Sequence, residues 1–284
     1  MEQKTTNYSI RDLQIKSLGL LKCIDKVCEE HGIQYYLIGG TLLGACRGEG
    51  FIPWDDDMDI ALMRKDYDLL MEHADEWLPK PYYIVNHKNT PHYPKYFAKI
   101  ENTDTTLVEN FSLGYAGGIY MDIFPLDDVP ENPILRGIHW GIFQLLRRNL
   151  YFVYRDPYKH GKGAKSWIPR LAQWLFTTQK AHDMMQNVLL RYKDSNSPYV
   201  MTHDDGFRSF GKADFSQPIR LNFEGFPAVC PNDTHHVLSQ IYGDDYMTPP
   251  PPEKRESHCH DYCDFDTPYR TVNFNQLKKQ VKGN

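Results

Sequence analysis

Residues 36–59 read YLIGGTLLGACRGEGFIPWDDDMD, and the fold of this chain turns on how that stretch is read. The apolar run Ile33–Ile38 predicts a strand that ends at the glycine pair Gly39–Gly40. After a polar turn come four aspartates, Asp55, Asp56, Asp57 and Asp59. Carboxylates this close repel one another, and a packed protein keeps several ionised together when a cation supplies the missing charge. If Asp57–Met63 is a strand, alternation puts Asp57 and Asp59 on one face and turns Met58, Ile60 and Leu62 into a core. Oxygen-only ligands in that arrangement favour magnesium or manganese over zinc. Gly39 and Gly40 let the backbone approach a ligand closely, and Thr41–Arg47 can start a short helix whose amides face an anion. An acid cluster or a glycine pair alone reads as a solvated loop or a turn; the two in this order point to phosphoryl chemistry.

A third acid is expected from GGIYMDIFPLDD. Asp122 is the single carboxylate inside an otherwise apolar strand, which is costly unless it is paired or holds a metal. The structural reading is a hydrogen-bonded aspartate at a strand edge. Asp127 and Asp128 are expected to cap the turn that follows.

Around this centre the chain alternates helices and strands. Ser9–His31 has helical apolar spacing, with Ser9 and Asp12 placed as a reciprocal cap and Gly32 as the stop. Arg64–Trp77 predicts a second helix, and Tyr82–Val85, Tyr96–Ile100 and Thr105–Val108 predict three strands with turns between. Strands that follow one another without crossovers imply a partly antiparallel sheet. Beyond Pro130 the pattern becomes mainly helical, over Ile134–Tyr154 and Trp167–Tyr192. Arg147–Arg148 among apolar residues also fits an interfacial membrane helix, but helix packing is the commoner cause. Pro231–Tyr242 predicts a further helix, and four prolines at 249–252 stiffen the return of the tail.

With 284 residues, 41% hydrophobic and a net charge of −5, the chain can bury a substantial core and has no basic field for nucleic acid. Six cysteines are too few for a disulfide framework and read as reduced thiols. No stretch is long and apolar enough to be a signal core or a spanning helix, so a cytoplasmic protein is expected. His258, Cys259, His260 and Cys263 include zinc-ligand types but lack a second cysteine pair at finger spacing. Ordinary tail packing or a substrate-facing histidine is the preferred reading.

The run GGTLLGACRGEGFIPWDDDMDIAL closely resembles the signature of the LicD family and, more distantly, that of fukutin-related proteins, within the nucleotidyltransferase superfamily. The later DIFPLD and YGDDY segments are similar to LicD-like proteins as well. The resemblance implies an α/β (α+β) nucleotidyltransferase-like mixed sheet flanked by helices. A catalytic core at 1–130 would be followed by a family-specific, mainly helical part at 131–284, packed on it as one continuous domain. It implies Mg²⁺ or Mn²⁺ on Asp57, Asp59 and Asp122. Gly39, Gly40 and Thr41 would cradle phosphate, Arg47 and Lys99 would spread its charge, and Trp54 would offer an aromatic wall. The implied reaction moves phosphocholine from CDP-choline, or another phospho-alcohol from its CDP donor, to a sugar hydroxyl of a lipopolysaccharide, teichoic acid or similar glycan. The acceptor could be lipid-linked and met at the inner membrane face. Two rivals are a nucleotidyltransferase moving NMP from an NTP to a small molecule, and an inactive glycan-binding module.

Overall fold

The structure is a computed structural model that describes residues 8–159, 161–255 and 260–283. Helix α1 (Ile10–His31) is closed at both ends as its sequence requires. The Ser9 hydroxyl accepts the Asp12 amide at 3.1 Å and donates to the Asp12 carboxylate at 2.7 Å, while Gly32 ends the helix in the left-handed region at φ 65°. Strand β1 (Tyr35–Leu37) leads into α2 (Gly39–Gly48), so the glycine pair forms the first turn of a helix and not a free loop. Then follow β2 (Asp59–Met63), α3 (Arg64–Trp77) and β3 (Tyr82–Val85).

The two strands expected at 96–100 and 105–108 are one long strand, β4 (Ala98–Val108), irregular in register between Asn102 and Leu107. The turn-prone residues between them bulge out of the ladder without ending it. Beside them lies β5 (Gly117–Asp128), buried almost throughout and the spine of the sheet. Gly118 is required there, because a Cβ would sit 2.0 Å from the Asn102 carbonyl oxygen.

The helical part contributes α4 (Pro133–Tyr154), α5 (Trp167–Leu175) and α6 (Thr178–Leu189). Short strands β6 (Tyr199–Met201) and β7 (Phe210–Gly211) precede the hairpin β8 (Ile219–Phe223) and β9 (Phe226–Cys230). The chain closes with α7 (Thr234–Tyr242), β10 (Tyr262–Asp264) and α8 (Phe274–Lys282).

The main sheet runs β1-β2-β5-β4-β10, with β3 also on β4 and β6 extending β5. Among the described strands only β2 and β5 pair in parallel; the other ladders are antiparallel. Three strands from beyond residue 131, β6, β7 and β10, join the sheet, so the second part completes the core as well as covering it. Helix α4 packs as expected through His139, Phe143, Leu150 and Val153, and leaves Ile134, Leu135, Ile138 and Leu145 exposed on its other side.

Asp127 corrects another expectation. It caps no turn: it is buried and takes a bidentate fork from Arg64 at 2.5 and 2.9 Å, tying α3 to the end of β5. The five described cysteines, Cys23, Cys28, Cys46, Cys230 and Cys263, are free thiols, and all but half-buried Cys46 are buried. His258 and Cys259 lie outside the described residues.

Candidate active site

The acids gather because of strand pairing. Asp59 opens β2 and is the direct register partner of Asp122 in β5, which in turn faces Lys99 in β4. Three charged side chains therefore stand in a row on one face of the sheet. Asp57 precedes the strand, whose first residue is Asp59 and not Asp57 as expected, and Met58 between them is fully buried. All three acids line one cavity of about 1010 Å³.

The start of α2 closes against the same acids. Gly39 has φ 57°, and a Cβ on it would lie 3.1 Å from Asp59 Oδ2. A Cβ on Gly40 would lie 2.5 Å from Asp55 Oδ2. The glycines thus permit both a left-handed turn and close approach of backbone to carboxylate. Thr41 is buried and does not line the cavity; its hydroxyl accepts the Asp59 amide at 2.8 Å and fixes where β2 begins.

The loop between α2 and β2 is held from α1. Gln14 donates its amide to the carbonyls of Ile52 at 3.2 Å and Asp55 at 2.8 Å. Arg11 grips Glu224 at 2.8 and 2.6 Å, and Glu224 Oε1 accepts the Phe51 amide at 3.2 Å.

Lys99 departs from its expected role. It is 1% exposed, and its ammonium lies 3.0 Å from Asp122 Oδ1, 2.9 Å from Glu109 Oε1 and 3.2 Å from the centre of the Tyr120 ring. A lysine so enclosed positions acids and is not presented to a phosphate. Lys95, which lines the cavity and meets Glu109 at 2.8 Å, and Lys254 are the lysines on its wall. Arg47 and Trp54 also line it, with the Arg255 guanidinium 4.2 Å from the Trp54 ring centre. One face of that indole is already engaged by a cation.

Burial pushes the Asp59 carboxyl well above the usual range, reinforced by Asp57, Asp122, Asp55 and Asp204. Burial likewise raises Asp122 to about 6, opposed by Lys99. An all-carboxylate site with this much mutual repulsion suits a hard divalent cation. Yet among the described residues no three His, Cys, Asp or Glu side chains form a ready metal-ligating group. The three-acid set expected on one ion is therefore adjacent without being preformed.

Sequence reasoning missed Asp204 and Asp205, both on the cavity wall. Asp204 meets Arg147 at 2.9 Å and the Tyr96 hydroxyl at 3.2 Å, and burial raises Asp205 to about 6. The paired acids before Gly206 were the available signal. His260 packs inside, 3.6 Å from Asp56 and 3.3 Å from the Tyr120 hydroxyl.

Residues 32–157 match the family model described as LicD/FKTN/FKRP, nucleotidyltransferase domain. The chain is 28% identical over 267 residues to lipopolysaccharide cholinephosphotransferase LicD of Haemophilus influenzae, covering 88% of this chain and 96% of that protein. It is 38% identical over 66 residues to uncharacterized protein RP689 of Rickettsia prowazekii, 23% of this chain and 25% of that one. A 40-residue stretch is 48% identical to human ribitol 5-phosphate transferase FKRP, 14% of this chain and 8% of that protein. The glycine-started helix, the acid loop and the Asp122 strand all fall within the matched segment, so residues 32–157 carry the likeness to the LicD/FKTN/FKRP nucleotidyltransferase domain.

Proposed function

We propose that this protein transfers a phospho-alcohol, with phosphocholine the first choice, from a CDP-alcohol to a sugar hydroxyl of a cell-surface glycan or its precursor. The observation that carries the reading is the side-by-side placement of Asp59 and Asp122 on paired parallel strands, against the glycine start of α2 and on the wall of one large cavity. The named activities of the LicD and FKRP relatives, cholinephosphate and ribitol 5-phosphate transfer, set the substrate class.

In this reading the donor pyrophosphate lies near the α2 N-terminus, and Arg47, Lys95 and Lys254 balance its charge. Asp57, Asp59 and Asp122 are the residues that would hold Mg²⁺ or Mn²⁺. When bound, such an ion offsets phosphate charge and helps to align the reacting oxygens. Asp122, kept in place by Lys99, takes the proton of the acceptor hydroxyl as that oxygen bonds to phosphorus and the bond to the CMP oxygen breaks. Tyr96, Tyr151 and Tyr154, with Asp204 beside Tyr96, suit a quaternary ammonium better than the Arg255-stacked Trp54 does.

The test is to incubate the protein with CDP-choline, CDP-ribitol and NTPs, with and without EDTA, and identify the released nucleotide. CMP release dependent on a divalent cation supports the proposal. Pyrophosphate release from an NTP makes the protein a nucleotidyltransferase, and absence of nucleotide binding by calorimetry makes it a binding module.

A further inference from the structure

The helical part carries a surface that the catalytic reading does not use. Of the eighteen large hydrophobic residues that are exposed among the described residues, twelve fall between Ile134 and Leu190. Helix α5 is the extreme case. Trp167, Ile168, Leu171, Trp174 and Leu175 are 41–79% exposed, and their spacing places them within one arc of about 120°. The opposite side, Pro169 and Ala172, is buried, and Gln173 anchors the helix by donating to the carbonyls of Phe152 at 3.3 Å and Arg155 at 2.9 Å. Helix α4 repeats the arrangement: His139, Phe143, Leu150 and Val153 are buried, while Ile134, Ile138 and Leu145 are 55–73% exposed.

Charge says what covers these faces. Residues 132–182 contain nine Lys or Arg and one acid, Asp156, a net +8 in a chain whose total is −5. The remaining residues therefore carry −13. Arg148, Lys159, Lys162, Lys165 and Arg170 are exposed beside the apolar faces. Apolar residues with tryptophan on one face, edged by cations, match the chemistry of a bilayer interface with anionic headgroups. No helix among the described residues is long and apolar enough to cross a membrane, so contact of this kind lies on the surface.

We infer that α4 and α5 dock this protein on an anionic phospholipid surface. Helix α4 also supplies Arg147, Tyr151 and Tyr154 to the cavity wall, so docking sets the cavity beside the lipid headgroups.

The test is flotation of the full chain with phosphatidylglycerol/phosphatidylethanolamine vesicles and with phosphatidylcholine vesicles, alongside tryptophan emission. Binding to the anionic vesicles only, weakened by salt and accompanied by a blue shift, is expected. Trp174→Asp and the double variant Lys162→Glu/Lys165→Glu should each lower vesicle affinity about tenfold while melting like the parent. Failure to float with anionic vesicles at low salt overturns the inference, as does undiminished flotation of a folded Trp174→Asp protein. A lipid-free dimer in sedimentation equilibrium that Trp174→Asp dissociates, with no vesicle binding, assigns the face to a second copy and also overturns it. None of these readouts uses turnover, so they stand apart from the fate of the proposed reaction.

Discussion

Asp59 and Asp122 are direct register partners on the parallel pair β2 and β5, so their side chains leave the sheet on the same face. Neither strand could hold such a pair alone. Asp59 is drawn to its place by the Thr41 hydroxyl, and Asp122 by Lys99 from the next strand.

Replacing Asp59 by Asn should separate activity from stability. Because the folded protein raises the carboxyl's affinity for its proton, ionising Asp59 at neutral pH costs stability, and the amide removes that cost. Turnover should fall by more than about a hundredfold while the melting temperature is unchanged or higher. Calorimetric melting beside a CMP-release assay checks this; full activity in the variant removes Asp59 from the chemistry.

Lys99→Met should behave in the opposite way. It strands Asp122 without its buried cation and leaves Glu109 with Lys95 alone, at a cost of about 3–5 kcal/mol in urea unfolding. Adding Asp122→Asn should recover part of the loss. A variant with parental stability but a raised KM for the donor would instead make Lys99 a substrate contact.

The glycine pair gives a graded comparison. Gly39→Ala forces an L side chain into φ 57° beside Asp59, for a stability loss of about 1–2 kcal/mol together with a loss of turnover. Gly40→Ala meets only the movable end of Asp55, so it should reduce turnover with a smaller change in stability. Denaturation midpoints and turnover of the two variants, measured side by side, decide it.

Glu101 sets a pH dependence away from the acids of the cavity. Burial raises its carboxyl to about 7, although the Tyr115 hydroxyl donates to it at 2.8 Å. Between the ordinary glutamate value and about 7 the folded state binds the extra proton, so stability falls as pH rises through that window. Glu101→Gln removes this dependence. Relative to that variant, the parent should lose up to about 3 kcal/mol between pH 4.5 and 8 in urea unfolding. Parallel curves for the two proteins would place the ionisation elsewhere.

Local signals made much of this readable in the chain. The Ser9–Asp12 cap, the Gly32 stop and the helical spacing of Arg64–Trp77 are written within one element, and each element appears as expected. The features that escaped depend on distant partners. Asp127 looks like a turn acid because its Arg64 partner is 63 residues away, and Lys99 looks like a phosphate cation until β5 and Glu109 enclose it. Asn102–Thr105 reads as a turn because a bulge and a turn use the same residue types, and only the pairing with β5 tells them apart.

The grip of Gln14 and Arg11 on the acid loop gives the first helix a duty at a distance. Neither residue lines the cavity, yet together they brace the backbone at Phe51, Ile52 and Asp55. Proteolytic trimming that frays the opening turns of α1 would leave every aspartate in the polypeptide and still slacken the ring of carboxylates. An inert preparation with an unaltered mass across residues 32–284 should therefore send attention to its amino terminus before its aspartates.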